Sequence, residues 1–351
     1  MNSLLIVSPN PDKSCLLNDM INSAASNFDN YEILYSLKND ISLENRKIIF
    51  AVEINEIGVD LSMLNLLMEL KKSKLRLTNS SAVILAHSCN ELGTKRFSQD
   101  LIYMLNNLGC TFIGQPLVEA TQSLINFLTW QKSLSMSLND ICLFQCKKLG
   151  RRLKESELSK INNPKITVLY SSPHNVSNTL SLWHIISQQL IGFDIQEIQI
   201  ENGKILDCKG CNYKLCLHYA EQNSCFYGGF MVENVLPAVE NSDVVIFLCP
   251  NYNDSISANI TAVINRLTVL YHKISFYNKL LYGIVVSGNS GSDSVAKQLI
   301  GSININKGFK LPPYAVLTAT ANDPNAIFKI IGIENIAQNF AQNMMDQLTI
   351  S

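Results

Sequence analysis

Ile166-Thr167-Val168-Leu169-Tyr170-Ser171-Ser172-Pro173-His174-Asn175-Val176-Ser177-Asn178-Thr179 is the stretch whose reading decides the fold. Its first five residues, rich in β-branched and aromatic side chains, read as a buried strand, and the Ser/Pro/Asn run after them reads as a loop. From Asn178 onward Leu182, Ile185, Ile186, Gln189 and Leu190 recur at helical spacing. A strand, a polar loop and a helix in that order open a βαβ unit, the building block of a parallel sheet.

The same alternation continues to the end of the chain. Strands are expected near Ile195–Ile200, at Val244-Val245-Ile246-Phe247-Leu248, over Tyr282–Ser287 and near Tyr314–Thr318. Helices are expected around Val232–Glu240, after Ser257, and at the C-terminus, where Ile336, Phe340 and Met344 share a face. The first half repeats the outline. Leu4-Leu5-Ile6-Val7-Ser8-Pro9-Asn10 parallels Val168-Leu169-Tyr170-Ser171-Ser172-Pro173-His174, and Ile48–Val52 parallels Val244–Leu248. Ala82–Ser88 likewise parallels Tyr282–Ser287. The expected fold class is therefore α/β, with two tandem doubly wound parallel-sheet domains, the first a degenerate copy of the second. Residues 1–150 form the first domain in this reading, 151–165 a basic and polar linker, and 166–351 the second domain.

Composition agrees with two packed domains. Of 351 residues, 47% are hydrophobic and 16% charged, enough apolar material for substantial cores. A formal net charge of -1 gives no reason to expect a nucleic-acid partner. The start, Met1 to Pro9, lacks a basic segment and reads as a first strand rather than a signal peptide. No apolar run approaches the roughly 20 residues that cross a bilayer, so no membrane partner is expected. Ten cysteines are too sparse for a disulfide scaffold, and the reducing cytoplasm is the expected compartment.

Four of those cysteines crowd into eighteen residues as Cys208, Cys211, Cys216 and Cys225. Thiolate is the ligand that zinc and iron–sulfur centres select. Three readings stand open: a [4Fe–4S] cluster, a structural zinc, or unligated thiols. The first half of the chain has no such segment.

In a doubly wound sheet, ligands bind beyond the carboxyl ends of the strands. Three loops of the second half lie there: Ser171–Thr179, Cys249-Pro250-Asn251-Tyr252-Asn253-Asp254-Ser255, and Ser287-Gly288-Asn289-Ser290-Gly291. The first offers hydroxyls, amides and a helix N-terminus to a phosphate, the second a tyrosine to a flat ring, and the third a close backbone approach. Both the G-x-G-x-x-G fingerprint and the P-loop pattern are absent, which favours a mononucleotide over NAD or ATP as the resident group.

With these loops in place, the second half resembles the NADPH-dependent FMN reductase and iron–sulfur flavoprotein family, which is flavodoxin-like. The resemblance rests on Ser171–Thr179, on Cys208-Lys209-Gly210-Cys211 with Cys216 and Cys225, on Cys249–Ala258, and on Ile264-Asn265-Arg266. It implies that Ser172, His174, Ser177, Asn178 and Thr179 grip the phosphate of FMN. Pro250, Asn251, Tyr252 and Asn253 would line its ring and ribityl chain, with Gly288 closing over the ring edge. It further implies an NAD(P)H-dependent FMN oxidoreductase that passes electrons to a small-molecule acceptor or a redox protein, possible homodimerisation, and a [4Fe–4S] cluster on the four cysteines. The protein departs from the pattern at His174, where the family carries arginine, and in the wider spacing of its last two cysteines. The competing expectation is a non-catalytic flavodoxin-like protein that has lost its cofactor and serves subunit association or redox-regulated binding.

Overall fold

The computed structural model describes residues 4–37, 42–157, 160–161, 163–172 and 177–348. They fall into two compact units, Met1–Leu158 and Ser159–Ser351. Pro173, His174, Asn175 and Val176 lie outside the described residues.

In the first unit the strands are β1 (Leu4–Val7), β2 (Tyr31–Leu34), β3 (Lys47–Ile54), β4 (Ser81–Ser88) and β5 (Thr111–Ala120). Its helices are α1 (Cys15–Ala25), α2 (Leu61–Lys72), α3 (Thr94–Asn106), α4 (Leu128–Leu134) and α5 (Leu138–Glu155). The strands pair in the order β2-β1-β3-β4-β5, all parallel. β3 and β4 are buried almost throughout, as strands covered by helices on both faces must be. The edge strand β2 is mostly exposed. On one face α1 and α5 pack Leu17, Met20, Ile141 and Leu149 against Ile6, Ile49 and Val83. That contact requires a glycine, because a Cβ on Gly150 would sit 2.0 Å from the Ala24 carbonyl oxygen.

The second unit carries β6 (Lys165–Tyr170), β7 (Asp194–Gln199), β8 (Val244–Pro250), β9 (Leu280–Ser287) and β10 (Val316–Thr320). Its helices are α6 (Asn178–Ser187), α7 (Tyr213–Glu221), α8 (Leu236–Asn241), α9 (Ala258–Arg266), α10 (Thr268–Lys273), α11 (Ser292–Leu299) and α12 (Ile333–Leu348). The order β7-β6-β8-β9-β10, again parallel, repeats that of the first unit. In order of sequence both sheets run 2-1-3-4-5, the flavodoxin-like winding, with a switch point between the first and third strands.

Several expected boundaries move. Residues 151–155, expected as linker, complete the last turn of α5, where Leu153 is buried against the first core. Lys165 already belongs to β6. β10 begins at Val316 rather than Tyr314, because Pro312 and Pro313 lack N–H donors and Tyr314 takes a positive φ of 51°. The helix expected over Val232–Glu240 opens as a π-helical stretch, Met231–Val235, before tightening into α8. α7, inside the cysteine segment, has no counterpart among the sequence expectations; Asn212 caps it by accepting from Leu215 N–H at 2.9 Å.

Among the described residues no helix is long and apolar enough to cross a membrane.

Candidate functional site

The carboxyl ends of β6, β8 and β9 bring the three candidate loops of the second unit to one edge of the sheet. After β6, Ser172 is 4% exposed, and its carbonyl accepts from Gln199 Nε2 at 3.2 Å. Ser177 caps α6, its Oγ accepting from Leu180 N–H at 3.2 Å. Asn178 is committed to structure: its Nδ2 donates to the carbonyls of Ala321 (3.1 Å) and Asp323 (2.8 Å), and its Oδ1 accepts from Ile327 N–H at 3.2 Å. It thereby ties the head of α6 to the segment after β10. Thr179 is 2% exposed and packs inside the unit. Of the residues expected at the phosphate, Ser177 and Asn178 therefore use their side chains to build the loop, and His174 is outside the described residues.

The loop after β8 is a tight hairpin. Tyr252 and Ser255 exchange backbone hydrogen bonds at 3.3 and 3.1 Å across Asn253 and Asp254, whose φ values are +53° and +56°. Positive φ at both central residues is the type I′ signature, which Asn and Asp tolerate better than other L-residues. Pro250 ends the strand, and Asn251 then links the loops. Asn251 Nδ2 donates to Ser287 Oγ (3.1 Å), Ser290 O (2.9 Å) and Asp254 Oδ1 (3.1 Å). Gln298, on α11, fastens the hairpin from behind by donating to Asp254 O (2.8 Å) and accepting from Ile256 N–H (3.2 Å).

The loop after β9 folds over this hairpin. Gly291 has φ +83°, and a Cβ there would lie 1.8 Å from Asp254 Oδ1, so the carboxylate fills the space a side chain would need. Gly288 lies against Asn322, whose Oδ1 would be 2.8 Å from an added Cβ.

The loops after β6, β7 and β8 border a cavity of about 440 Å³ at the β6/β8 switch point. Ser171, Gln199, Glu201, Tyr252, Ser257 and Asn259 line it. Tyr252 is half exposed, presenting a ring face and a hydroxyl. Ser171 and Ser257 share a hydrogen bond of 2.8 Å between their hydroxyls. The Oδ1 of Asn251 is buried with no partner, an acceptor waiting at the joint of the loops. Sequence reasoning singled out Tyr252 and missed Gln199, Glu201, Asn259 and Gln298. Those four reach the site through the sheet and through α9 and α11, and no local pattern marks them.

The four clustered cysteines come together elsewhere in the unit. Cys208, Cys211, Cys216 and Cys225 line one cavity of about 310 Å³, walled by Tyr219, Phe226 and Tyr227. Burial, and then the neighbouring thiols, push the Cys216 pKa up. Two cations belong to this region. Arg266 is 2% exposed; its guanidinium donates to the Leu206 and Gly228 carbonyls at 3.3 and 2.9 Å, and its Nε has no partner. Burial lowers the Lys307 pKa, while Cys208 and Cys216 work to raise it. Among the described residues no group of three or more His, Cys, Asp or Glu closes around a point that could hold a metal ion. Cys249 sits apart at the end of β8, fully buried, its thiol pushed up to about 12 by burial and so inert.

No curated protein matches the chain. Solved structures that match it include an NAD(P)H:quinone oxidoreductase from Methanothermobacter marburgensis, at 12% identity over 52% of this chain and 96% of that one, with a TM-score of 0.40. A flavodoxin, WrbA-like protein from Agrobacterium tumefaciens matches at 12% identity over 52% of this chain and 99% of its own, with a TM-score of 0.36. An azoreductase from Bacillus anthracis str. Sterne also gives 12% identity, over 53% of this chain and 100% of its own, with a TM-score of 0.36. The resemblance carried by the three loops and the cysteine segment is borne out in the second unit, which over residues 164–323 matches the family described as NADPH-dependent FMN reductase.

Proposed function

We propose that the second unit is an FMN-dependent oxidoreductase that takes hydride from NAD(P)H and passes electrons to a small acceptor. The observation that carries this reading is the 440 Å³ cavity at the switch point, with the half-exposed Tyr252 on its wall. Its size suits a cofactor, and its place is where a sheet of this winding receives one. The family match over residues 164–323 supports the same reading.

The residues present fit a flavin. Tyr252 offers a face for stacking on the ring. Ser171, Ser257 and Glu201 suit the hydroxyls of a ribityl chain, whereas the Glu201 carboxylate would repel a phosphate. The phosphate therefore belongs at the head of α6, where backbone N–H groups point out of a ten-residue helix. The bound group supplies the hydride and electron transfer, and the chain supplies binding, orientation and exclusion of water. The rigid joint of Asn251, Asp254 and Gly291 holds the Tyr252 hairpin in place before the cofactor arrives.

We further propose the cysteine cavity as the seat of an iron–sulfur cluster. A cluster is wider than an ion and takes its thiolates from around a cavity rather than from one point. Arg266 and Lys307 would offset part of its negative charge.

The decisive measurement is the anaerobic visible spectrum of the purified protein with iron and zinc analysis. A flavin spectrum bleached by NADPH is the expected result. Protein that stays colourless after FMN is added ends the proposal, and a flavin reduced only by a chemical reductant makes the unit an electron carrier. Absence of iron and sulfide removes the cluster and leaves the flavin reading intact.

A further inference from the structure

The two sheets can be laid on one another by register. β1 ends at Val7 and β6 at Tyr170, and in each unit the pairing with both neighbouring strands stops there, which places Val7 opposite Tyr170. Val7 pairs with Phe50, and Phe50 with Ile84; Tyr170 pairs with Leu248, and Leu248 with Ile284. Three residues further along stand Glu53 and His87 in the first unit, and Asn251 and Ser287 in the second. The caps of the following helices also correspond, Ser14 to Ser177.

At these positions the first unit holds a closed network. Glu53 Oε2 accepts from both the backbone N–H and the hydroxyl of Ser14, each at 2.9 Å, at the head of the eleven-residue helix α1. His87 Nδ1 hydrogen-bonds to Glu53 Oε1 and lies 3.1 Å from Ser14 Oγ. The two side chains are only 14% and 13% exposed. Asp60, 1% exposed, accepts from Glu53 N–H at 2.9 Å and fixes the end of β3. A carboxylate thus sits on the N–H group that a helix start offers to an anion, at the switch point of the first sheet.

We propose that the first unit carries its own anion: the Glu53 carboxylate, clamped by His87, occupies the seat that an external phosphate or carboxylate would take at the head of α1 and keeps that unit closed to such ligands. The inference borrows from the flavin reading only the position of the seat, and it stands or falls in the first unit alone.

The test is made on the full chain, following the Ser14 amide by NMR with inorganic phosphate and with formate as probes, against chloride at equal ionic strength. In the wild type the Ser14 amide should not move with either anion. In Glu53→Ala, which leaves the Ser14 donors and the His87 ring facing an emptied seat, both anions should shift it, and formate should raise the melting temperature of the variant but not of the wild type. Glu53→Gln is the control. It loses the charge but keeps the seat filled, so it should be destabilised and remain insensitive to formate. Movement of the wild-type amide with phosphate overturns the proposal. Rescue of Glu53→Gln by formate overturns it too, as does a folded Glu53→Ala that ignores both anions. Should Glu53→Ala fail to fold, the wild-type and Glu53→Gln arms still decide. FMN binding by the second unit does not enter any of these readouts.

Discussion

Glu53 sets the first expectation at the scale of a residue. Burial works against its charge, but the hydrogen bonds from His87 and from Ser14 N–H outweigh burial and hold its carboxyl below the usual range. A carboxyl whose folded pKa is depressed stabilises the fold fully above its unfolded value, about 4.3, and loses that contribution as pH falls through the lower folded value. Glu53→Gln should therefore cost about 2 kcal/mol near neutrality, the range of a charge-assisted hydrogen bond, and the gap to wild type should shrink below about pH 4. Urea unfolding at stepped pH measures it, and a gap that widens in acid contradicts the assignment. In the second unit the corresponding residue is Asn251, and beside it stands Tyr252. If it stacks on a flavin, Tyr252→Leu should weaken FMN binding by about 2- to 12-fold, the equivalent of about 0.5–1.5 kcal/mol of aromatic contact, as read by quenching of flavin fluorescence. Tyr252→Phe, which keeps the ring, should lose much less. Tyr252 was legible in the sequence because an aromatic after a buried strand is conspicuous. Glu53 was not, because its meaning lies in a register shared with His87 and in a helix cap thirty-nine residues earlier.

At the scale of elements, the hairpin after β8 and the loop after β9 are one construction. Gly291 is the close contact on which it turns. Gly291→Ala puts a Cβ where Asp254 Oδ1 stands and strains a residue at φ +83°, so a loss of about 1–3 kcal/mol is expected in denaturant unfolding. Pairing it with Asp254→Ala should recover the part due to the clash and leave the part due to φ, a split that a double-mutant cycle reads directly. The loops' approximate places followed from the alternation of apolar and polar runs. Their joinery did not, since Asn251 to Ser287 spans thirty-six residues and Asn178 to Ala321 spans one hundred and forty-three. Asn178 shows the limit well: its type suggested a phosphate ligand, whereas its amide is spent bracing the segment after β10. The cysteine segment behaves likewise. Arg266 ties Leu206 to Gly228 across the cavity, and Arg266→Met should loosen the segment, making Cys208 and Cys225 react faster with a thiol reagent while the unit stays folded.

At the scale of the whole molecule, the chain holds two sheets of one winding whose carboxyl edges carry opposite chemistry. The duplication was readable because buried parallel strands are near-continuous apolar runs, and Ile48–Val52 and Val244–Leu248 are such runs. The edge strand β2 and α7, the first helix of the cysteine-bearing crossover, escaped notice, since a four-residue, mostly exposed strand has no apolar signature. Each unit has its own core, and a tryptophan in each can follow it. Trp183, fully buried on α6 and donating to Glu197 at 2.6 Å, reports the second unit, and Trp130, on α4, is half exposed in the first. With Trp130→Phe, tryptophan fluorescence follows the second unit alone. A ligand at one hundred times its Kd stabilises the unit that binds it by about 2.7 kcal/mol, which for a unit of this size is a rise of about 5–10 °C in its midpoint. Saturating FMN should therefore raise the Trp183 transition by that amount while leaving the Ser14 amide and its neighbours in the first unit unmoved. A shift of both would mean that the first seat is open or that the units unfold as one. A Trp183 transition indifferent to FMN would return the second unit to the company of the first, a flavodoxin-like sheet without a guest.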